Sequence, residues 1–524
     1  MTTRPPGHLA LGELIRLLEG RGLLRSVLPV PGDQPAAVQV RDVTLDSRTT
    51  GPGSLFVAVR GERADGHDFV VQAVARGAVA VLAEHATPLL GVPQLLVPAA
   101  RPALALAAAA LHRFPSHRLG IVGVTGTDGK TTTCFLLRSV LQASGLPTGL
   151  LGTIETMAGG KVIDRGRQTT PEAPELQAAL AAMLGAGDRF AVVESTSHGL
   201  AQERVGEVAY DVAVLTNLTH EHLEFHRTPE AYRAAKRRLF EWLAAGPANP
   251  QKPWGKWAVL NLDDPVAPEF QAAARAVGAR ALTYGTAAAA DVRATRIEED
   301  AGGLSIEIRT PRWQGPVRLR LAGRFNAHNA LAAATVGEAL HLSPETVREG
   351  LEALEGVPGR MQRIDAGQPF TVIVDYAHTA DSLAKLLDNL APLAAAGGGG
   401  LISVFGSAGE RDTLKRPMMG RVAAERCRLI VLTDEDPRGE DRVSILEQIA
   451  AGAEQVGRRR GQDLVIVPDR QEAIAAAFEQ ARAGDVVVLC GKGHEQTIEM
   501  ADGVLPWDEA QAALRALASL GYGS

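Results

Sequence analysis

The stretch from residue 119 to residue 133 constrains the fold more than any other, because a glycine-rich loop stands there between an apolar strand and a helix. Residues 119–124 are apolar, residues 125–133 read Thr-Gly-Thr-Asp-Gly-Lys-Thr-Thr-Thr, and apolar residues at helical spacing follow. Glycines let backbone N–H groups turn toward phosphate oxygens, and the helix N-terminus adds the positive end of its dipole. The pattern predicts a nucleoside-triphosphate site, although Val124 occupies the position where the usual spacing has glycine.

Within this loop we expect one cation and one hydroxyl to carry most of the chemistry. Lys130 would supply charge to the phosphates, and Thr131 would offer its hydroxyl to Mg²⁺. The residues expected to contact the nucleotide here are Gly126, Thr127, Asp128, Gly129, Lys130, Thr131 and Thr132.

A second predicted strand, residues 190–193, ends in Glu194. An acid at a strand end beside a nucleotide loop commonly holds Mg²⁺, directly or through water. The alternative is an ordinary surface acid. A third strand, residues 211–215, leads to His220 and His222, whose spacing resembles a metal pair, although a hydrogen-bonding role suits at least one of them better.

The helix that begins at Thr228-Pro229 places one lysine on its apolar face. Lys236 shares that face with Tyr232 and Leu239, whereas the neighbouring arginines project elsewhere. The lysine could extend its ammonium to solvent. Alternatively, it is desolvated, with a lowered pKa that allows chemical modification or action on phosphate.

Composition limits the remaining possibilities. A chain of 524 residues with 46% apolar residues can form about three domains, each with its own core. A net charge of -6 provides no field that would attract nucleic acid or an anionic membrane. The three cysteines form no CxxC pair, which fits a reducing compartment. We recognise no signal peptide, and the apolar run at 103–111 is too short to span a bilayer. We therefore expect a cytoplasmic protein.

The C-terminal part alternates strands and helices. Apolar runs lie at residues 370–374, 401–405, 428–432, 464–467 and 485–490. Each run ends in charged or polar residues, which an open parallel sheet would gather at one edge. We therefore expect an α/β fold with domain boundaries at 114/115 and 356/357, the latter at a Gly-Val-Pro-Gly segment.

With these motifs in place, the chain resembles the Mur ligase family of the peptidoglycan pathway, most closely its tripeptide synthetases. The resemblance covers nearly the whole length. It rests on LDSR at 45–48, ADG at 64–66, GTDGKTT at 126–132, TTPE at 169–172, SHGL at 197–200, GRFNAHN at 323–329, GRM at 359–361, DYAHT at 375–379, RDTLKRP at 411–417, DPR at 436–438 and GKGHE at 491–495.

The resemblance implies three domains: an N-terminal UDP-sugar-binding domain (1–114), a central P-loop-type ATPase (115–356) and a Rossmann-like C-terminal domain (357–524) that binds the amino acid. It implies an ATP- and Mg²⁺-dependent amide ligase that adds a diamino acid to UDP-N-acetylmuramoyl-L-alanyl-D-glutamate through an acyl phosphate. It further implies a monomer that neither binds nucleic acid nor inserts into membranes.

Residue by residue, the resemblance assigns Thr131, Glu194, His222 and a carbamylated Lys236 to the metal ions, and Lys130, Lys236, Glu194 and His222 to catalysis. Further nucleotide contacts would be Asn326, Asn329, Arg360, Asp375 and His378. The UDP-linked substrate would meet Leu45, Ser47, Glu62, Arg63, Ala64, Gln168, Thr169, Thr170, Thr196, Gln202 and Arg204, and the diamino acid would meet Arg411, Glu435, Asp436, Pro437, Arg438, Gly491 and Glu495.

The choice of diamino acid stays open between meso-diaminopimelate, lysine and ornithine. Arg438 and Arg411 offer cations to a distal carboxylate. Asp436, however, stands where diaminopimelate-adding members of the family have asparagine, and an anion there favours an ammonium. We expect lysine or ornithine on this ground.

Two other interpretations remain. Folylpolyglutamate synthase shares the ATPase core but would lack the N-terminal LDSR segment. A nucleotide-dependent switch or inactive paralogue is less compatible with the presence of Lys130, Glu194, Lys236 and Asp375 together.

Overall fold

The computed structural model describes residues 7–30, 34–61, 64–165, 168–219, 223–244, 252–300 and 302–523. The chain divides into two compact units, Met1–Arg293 with Arg309–Trp313 and His328–Gly350, and Ala294–Ile308 with Gln314–Ala327 and Leu351–Ser524. Among the described residues, no helix combines the length and apolar character needed to cross a bilayer.

The N-terminal part of the first unit is a small parallel sheet between helices. Its elements are β1 (Leu9–Ala10), α1 (Leu11–Gly20), β2 (Ser26–Leu28), β3 (Gln39–Val40), β4 (Asp42–Thr44), β5 (Ser54–Val57), α2 (Val70–Ala75), β6 (Ala80–Ala83), β7 (Gln94–Leu96) and α3 (Ala100–Leu111). The strand order is β2-β7-β6-β5-β4, with β2 antiparallel to β7 and the other pairs parallel.

Strand β5 is buried on both faces. Leu55 and Val57 pack in the cluster that contains α1 and α3, whereas Phe56 packs with α2. A strand in the middle of a parallel sheet is covered on both sides, which explains its continuous apolar run.

The rest of the first unit is built on a larger, mainly parallel sheet. Its elements are β8 (Gly120–Thr125), α4 (Lys130–Ala143), β9 (Thr148–Leu151), β10 (Thr156–Ala158), β11 (Lys161–Asp164), α5 (Ala173–Gly185), β12 (Phe190–Glu194), α6 (Ser197–Ala201), β13 (Val212–Leu215), α7 (Leu223–His226), α8 (Pro229–Glu241), β14 (Trp257–Asn261), α9 (Ala267–Ala276) and β15 (Arg280–Gly285). The order is β11-β10-β9-β12-β8-β13-β14-β15, and only the pairs that involve β10 are antiparallel.

The register of this sheet brings its polar strand ends together. Glu194 of β12 lies opposite Val124 of β8, and Leu215 of β13 lies opposite Thr125. The glycine-rich loop that follows Thr125 is therefore flanked by the carboxyl ends of β12 and β13, where an open α/β sheet binds its ligands.

The chain continues through β16 (Val292–Asp300), β17 (Gly303–Arg309), β18 (Gln314–Leu319), α10 (Asn326–Ala339) and α11 (Pro344–Ala353).

The C-terminal part of the second unit has the alternation that the sequence predicts. Its elements are β19 (Gln362–Ile364), β20 (Thr371–Asp375), α12 (Ala380–Ala396), β21 (Leu401–Phe405), α13 (Lys415–Arg426), β22 (Leu429–Leu432), α14 (Arg442–Glu454), β23 (Leu464–Ile466), α15 (Arg470–Glu479), β24 (Val486–Cys490), β25 (Thr497–Met500), β26 (Gly503–Pro506) and α16 (Glu509–Ser519). The sheet order is β19-β20-β24-β21-β22-β23, and all pairs except β19-β20 are parallel.

Two apolar cores cover the faces of this sheet. Helices α12, α13 and α14 contribute to one core, and α15 and α16 contribute to the other. The α/β fold class with a Rossmann-like C-terminal part is thus confirmed, while the boundaries at 114/115 and 356/357 remain predictions.

Candidate active site

Two glycines shape the loop after β8. Gly126 has φ +151 and Gly129 has φ +80, values that residues with a side chain rarely adopt. A Cβ at Gly126 would lie 1.8 Å from Thr216 Oγ1, and a Cβ at Gly129 would lie 2.3 Å from Asn329 Oδ1. Both the backbone conformation and the available space therefore require glycine.

Side chains that follow β13 hold the loop in place. Thr216 Oγ1 donates to the carbonyl of Asp128 at 2.7 Å. The Asn217 amide accepts from the N–H of Asp128 at 2.9 Å and donates to its carbonyl at 3.1 Å. These bonds fix the loop against the neighbouring strand, so its shape is set before any ligand binds.

Lys130 begins α4 and folds back over the loop. Its ammonium donates to the carbonyls of Gly126 at 3.1 Å and Thr127 at 2.7 Å. Thr132 is buried in the first turn of the same helix. A cation thus lies directly at a glycine-rich loop and a helix N-terminus, the arrangement that favours a polyphosphate.

Glu194 and Thr131 form a buried oxygen cluster beside the loop. The Thr131 hydroxyl donates to the Glu194 carboxylate, at 3.0 Å from Oε1 and 3.2 Å from Oε2. Glu194 is 1% exposed, which excludes the alternative of an ordinary surface acid. Carboxylate and hydroxyl oxygens are the ligands that Mg²⁺ prefers, so the donor set fits this ion.

Thr153 also belongs to this cluster and is missing from the sequence prediction. Both its backbone N–H and its hydroxyl lie 3.0 Å from Glu194 Oε2, and the hydroxyl lies 3.0 Å from Thr169 Oγ1. Thr153 therefore connects the carboxylate to a residue predicted to contact the UDP-linked substrate. No spacing rule in the sequence points to it.

Lys236 of α8 reaches the same loop from the other side. Its side chain is 2% exposed, so the alternative of an ammonium extended to solvent is wrong. The ammonium donates to the Gly126 carbonyl at 2.5 Å and lies 4.5 Å from the centroid of the Tyr232 ring. Tyr232 in turn shares a hydrogen bond with Thr127 Oγ1 at 3.0 Å.

Three of the predicted residues, Glu62, Arg63 and His222, lie outside the described residues. Within the described part of the chain, no group of three or more histidines, cysteines or acids forms a metal site of its own. The described donors at the magnesium candidate are therefore the Thr131 hydroxyl and the Glu194 carboxylate.

The residues expected to bind the UDP-linked substrate in the central sheet form one network. Thr170 Oγ1 donates to the Glu194 carbonyl at 2.8 Å and accepts from the N–H of Thr196 at 3.0 Å. Arg204 donates to Gln168 at 3.1 Å and to Gln202 at 2.6 Å.

Glu172 anchors this network and has no assigned role in the sequence prediction. Its carboxylate pairs with Arg204 at 3.0 Å and with Arg101 of α3 at 2.8 Å. The charged pairs thus join the predicted substrate residues to the N-terminal sheet.

The predicted N-terminal residues have local hydrogen-bond partners. Ser47 is buried and donates to Gln72 at 2.9 Å, and Leu45 is half-buried. The carbonyl of Ala64 accepts from the N–H of Gly61 at 2.9 Å.

The two predicted asparagines of the GRFNAHN motif differ in setting. Asn329 accepts from Thr133 Oγ1 at 3.2 Å and packs against Gly129 of the phosphate loop. Asn326 begins α10 and donates to the Ala322 carbonyl at 2.6 Å.

In the second unit, Asp375 is the last residue of β20. Its surroundings include the Arg360 guanidinium and the ring of Tyr376. Burial raises the pKa of the Asp375 carboxyl, against the charge of Arg360 and the N–H groups of Met361 and Ala377, which favour its ionised form. Arg360 lies 5.0 Å from the Tyr376 ring centroid, and His378 Nδ1 lies 3.0 Å from the Tyr376 carbonyl.

The turns after β22 and β24 lie side by side. A Cβ on Gly491 would lie 3.4 Å from the Glu435 side chain. Glu435 is buried, and its Oε2 has no hydrogen-bond partner among the described residues. A buried carboxylate oxygen without a donor is costly, and an amino group of a ligand would satisfy it.

Asp436, in contrast, has hydrogen-bond donors at one of its carboxylate oxygens. Its Oδ1 accepts from the buried Lys492 ammonium at 2.8 Å and from the N–H of Glu499 at 2.9 Å. Lys492 also pairs with Glu495 at 2.6 Å. Asp436 therefore already has a cationic partner, which it shares with Glu495, and its preference for a substrate ammonium stays a prediction.

The remaining predicted residues surround these turns. Arg438 has φ +53, and its guanidinium donates to Glu499 Oε2 at 2.8 Å and to the Gly409 carbonyl at 3.3 Å. The carbonyl of Pro437 faces Gly409, where a Cβ would lie 2.0 Å from it. Arg411 is exposed.

Comparison with known proteins agrees with this arrangement. Family models described as "Mur ligase family, catalytic domain", "Mur ligase middle domain" and "Mur ligase, glutamate ligase domain" match residues 39–114, 124–337 and 359–493. The UDP-N-acetylmuramyl-tripeptide synthetase of Roseiflexus sp. (strain RS-1) is 50% identical, over 93% of this chain and 96% of that protein. The chain belongs to the Mur ligase family.

Other members of the Mur ligase family carry a more specific name. The UDP-N-acetylmuramoyl-L-alanyl-D-glutamate–2,6-diaminopimelate ligase of Solibacter usitatus (strain Ellin6076) is 40% identical, over 95% of this chain and 98% of that protein. A solved structure with the same name is 29% identical and superposes with a TM-score of 0.67, over 98% of this chain and 99% of the other. This Mur ligase is therefore similar to them over nearly its whole length.

Proposed function

We propose that this Mur ligase uses ATP to join diaminopimelate to UDP-N-acetylmuramoyl-L-alanyl-D-glutamate. The observation that carries the proposal is the buried cluster of Thr131 and Glu194 beside a preformed glycine-rich loop with Lys130. The names of two relatives that are 40% and 41% identical supply the two substrates, whereas the relative that is 50% identical is named a tripeptide synthetase without an amino acid.

The reaction is two displacements. A glutamyl carboxylate oxygen attacks the γ-phosphorus of ATP, and ADP leaves, which gives an acyl phosphate. The amine of diaminopimelate then attacks the acyl carbon, loses a proton, and expels phosphate to leave an amide. Both steps develop negative charge on oxygen, so cations, N–H donors and positioning supply the catalysis.

The phosphate loop would bind the β- and γ-phosphates. Lys130 already lies at the loop, and its ammonium can exchange its two carbonyl acceptors for phosphate oxygens. The N–H groups at the start of α4 add donors at the positive end of the helix dipole.

Thr131 and Glu194 would hold a magnesium ion, together with His222. When bound, this ion neutralises charge on the phosphates. Thr153 keeps the Glu194 carboxylate turned toward Thr131, through its N–H and hydroxyl.

Lys236 would carry a carbamate in the active enzyme. Its neutral amine adds to CO₂, so that one N–C bond forms and one proton is released, and the product is an anion. This change replaces a buried ammonium by a group that can approach a second magnesium ion. Its position at the Gly126 carbonyl supports this role, because the side chain already ends at the phosphate loop.

Arg360, Asp375 and His378 would contact the nucleotide from the C-terminal part, with Asn326 and Asn329 on the adenine side. The UDP-linked substrate would meet Thr169, Thr170, Thr196, Gln202 and Arg204, which form one hydrogen-bonded network with Glu194.

Diaminopimelate fits the charges of the second unit better than lysine or ornithine. Glu435 offers a carboxylate oxygen to an amino group, Arg411 is exposed, and the Arg438 guanidinium would exchange its contact with Glu499 for a distal carboxylate. Asp436 opposes that carboxylate less than a free anion would, because the Lys492 ammonium lies against it and offsets part of the charge of Asp436 and Glu495.

Folylpolyglutamate synthesis remains the rival enzymatic function. The match of residues 39–114 to the Mur ligase N-terminal model favours the UDP-linked substrate instead. A non-catalytic role is disfavoured by the buried Glu194 and Lys236, whose burial is costly unless it serves a site.

Phosphate release from ATP by the purified protein tests the proposal. The UDP-linked dipeptide is supplied with diaminopimelate, lysine or ornithine in separate reactions, and the product is identified by its mass. We expect release with diaminopimelate and the corresponding tripeptide. Lys130→Ala should abolish release, whereas Lys161→Ala on the exposed strand β11 is the matched control. Absence of phosphate release with all three amino acids would contradict the proposal.

A further inference from the structure

A buried arginine outside the predicted site touches the ends of two sheet strands. Arg470 begins α15 and is 2% exposed. Its guanidinium donates to the Asp434 carbonyl, which follows β22, at 2.8 Å, and to the Cys490 carbonyl at the end of β24 at 2.7 Å. Strands β22 and β24 lie on either side of β21. The Arg470 side chain therefore connects the ends of two strands that are separated by a third.

Glu509 holds this guanidinium from the opposite side. It is the first residue of α16 and is 1% exposed. Its carboxylate accepts from Arg470 Nη2 at 2.6 Å and from Nε at 2.8 Å, and the Trp507 indole donates to it at 2.6 Å. Burial would lower the pKa of Arg470, but the charge and the hydrogen bonds of Glu509, together with the charge of Glu435, raise it overall.

The two carbonyl groups that accept from Arg470 lie directly before the turns that we propose to bind the amino acid. Glu435 directly follows Asp434, and Gly491 directly follows Cys490. The peptide groups fixed by Arg470 are thus the last ones before the two turns that carry Glu435, Arg438 and Glu495. A forked guanidinium suits this task, because its N–H groups bind several acceptors in fixed directions.

We propose that Arg470, oriented by Glu509, is a positioning residue that sets the spacing between the two amino-acid-binding turns. The proposal rests on the proposed function for the identity of the amino acid, but the spacing itself can be measured without it. Arg470 does not touch substrate; it acts through the peptide groups of Asp434 and Cys490.

The chain contains a matched control at the opposite edge of the sheet. Arg428 directly precedes β22 and donates to Asp485, which directly precedes β24, at 3.1 Å, and to the Gln480 carbonyl at 2.7 Å. Arg428 therefore joins the amino ends of the same two strands by the same chemistry. Arg428→Lys weakens the sheet without touching either turn.

The kinetic experiment compares Arg470→Lys with Arg428→Lys. A lysine has one compact ammonium and cannot bind both carbonyls and the carboxylate. Because small misplacement of a bound reactant is costly, we expect Arg470→Lys to raise the KM for diaminopimelate by about tenfold or more. The KM values for ATP and the UDP-linked dipeptide should stay near the wild-type values, and Arg428→Lys should change none of the three. An equal rise of all three, or no rise, overturns the proposal.

Hydrogen exchange gives a second readout that needs no activity. In Arg470→Lys, amides of residues 435, 436, 438 and 491–495 should exchange faster than in wild type, whereas Arg428→Lys should leave both segments protected. If the wild-type enzyme releases no phosphate with any amino acid, the proposed function fails, and the exchange measurement still decides the positioning role. Unchanged exchange in both turns overturns it.

If Arg470→Lys does not fold, a variant that perturbs Glu509 and leaves Arg470 in place can still test the proposal. Trp507→Phe keeps an aromatic side chain, smaller than indole, and removes the N–H that donates to Glu509 Oε2. It should raise the KM for diaminopimelate and the exchange of the two turns in the same direction, by smaller factors. Wild-type behaviour in both readouts contradicts the proposal.

Discussion

Asp436 and Lys492 form an ion pair at 2.8 Å between the two turns that carry the predicted amino-acid-binding residues, and the Lys492 side chain is 1% exposed. The pair joins residues that are 56 positions apart in the chain. Removing one charge of a buried pair leaves the other without its compensation, which costs more than the pair contributes.

Asp436→Asn tests whether this residue selects the amino acid. Lys492 would retain Glu495 at 2.6 Å, so we expect the protein to fold with a reduced Tm. The ratio of kcat/KM for diaminopimelate to that for lysine should stay within about threefold of wild type, less than 1 kcal/mol of discrimination. A large shift toward diaminopimelate would restore the interpretation that Asp436 favours an ammonium.

Arg438→Ala removes the cation that we assign to the distal carboxylate of diaminopimelate. A hydrogen bond to a charged group contributes about 2 kcal/mol, so kcat/KM for diaminopimelate should fall by about thirtyfold. The kcat/KM for lysine, which has no distal carboxylate, should change little. Glu499→Gln is the control, because it removes the carboxylate that pairs with Arg438 in the structure without removing the cation. Equal losses for both amino acids would contradict the assignment.

Much of the fold follows from the sequence because its strands are buried and bounded by polar turns. The predicted runs at 401–405 and 485–490 are the strands Leu401–Phe405 and Val486–Cys490, and the run at 190–193 ends one residue later, at Glu194. Apolar runs of this length, followed by charged turns and helices, admit few other arrangements.

The partners of the site residues could not be predicted in this way. Thr153 and Glu194 are 41 positions apart, and Arg470 and Glu509 are 39 apart, without any motif that joins them. Such contacts depend on strand order and on side-chain packing, which local patterns do not encode. The partner of Asp436 was missed for this reason, since Lys492 belongs to another turn, and the preference that Asp436 imposes on the amino acid stays a prediction.

Thr153→Val tests the residue that the sequence left unassigned. Valine keeps the shape and the backbone N–H but loses the hydroxyl that contacts Glu194 and Thr169. Because a hydrogen bond to a carboxylate contributes about 1.5–3 kcal/mol, kcat/KM should fall by about tenfold or more. The Mg²⁺ concentration that gives half-maximal activity should rise. Thr153→Ser retains the hydroxyl and should behave like wild type. A Val variant with normal magnesium dependence would refute the role.

Lys236→Ala tests the carbamate. Loss of a group that orients metal should reduce activity by about a hundredfold or more. Short-chain carboxylic acids, which can enter the space left by the side chain and supply an anion, should restore part of the rate. Arg233→Ala is the control on the same helix, because Arg233 pairs with Glu269 and not with the phosphate loop. Activity that is unchanged in Lys236→Ala would contradict the carbamate role.

His117 lies before β8, between the N-terminal and central sheets, and gives the protein a pH-dependent stability. Burial lowers the pKa of this imidazole, and the charges of Lys252, Arg21 and Lys256 lower it further. Burial likewise lowers the pKa of His112 at the end of α3. Both rings therefore remain neutral in the folded chain at a pH where the unfolded chain already binds protons.

Below about pH 6.5, the ordinary pKa of histidine, the unfolded state binds more protons than the folded state. The free energy of unfolding therefore falls as the pH falls below this value, and it continues to fall until the pH reaches the lowered pKa of the folded state. We expect the Tm to be lower at about pH 5.5 than at about pH 7.5, and the difference to shrink in His117→Gln and further in the double variant with His112→Gln. Comparison with wild type at the same two pH values cancels the contributions of carboxyl groups. A double variant with the full wild-type difference in Tm would show that these imidazoles do not control it.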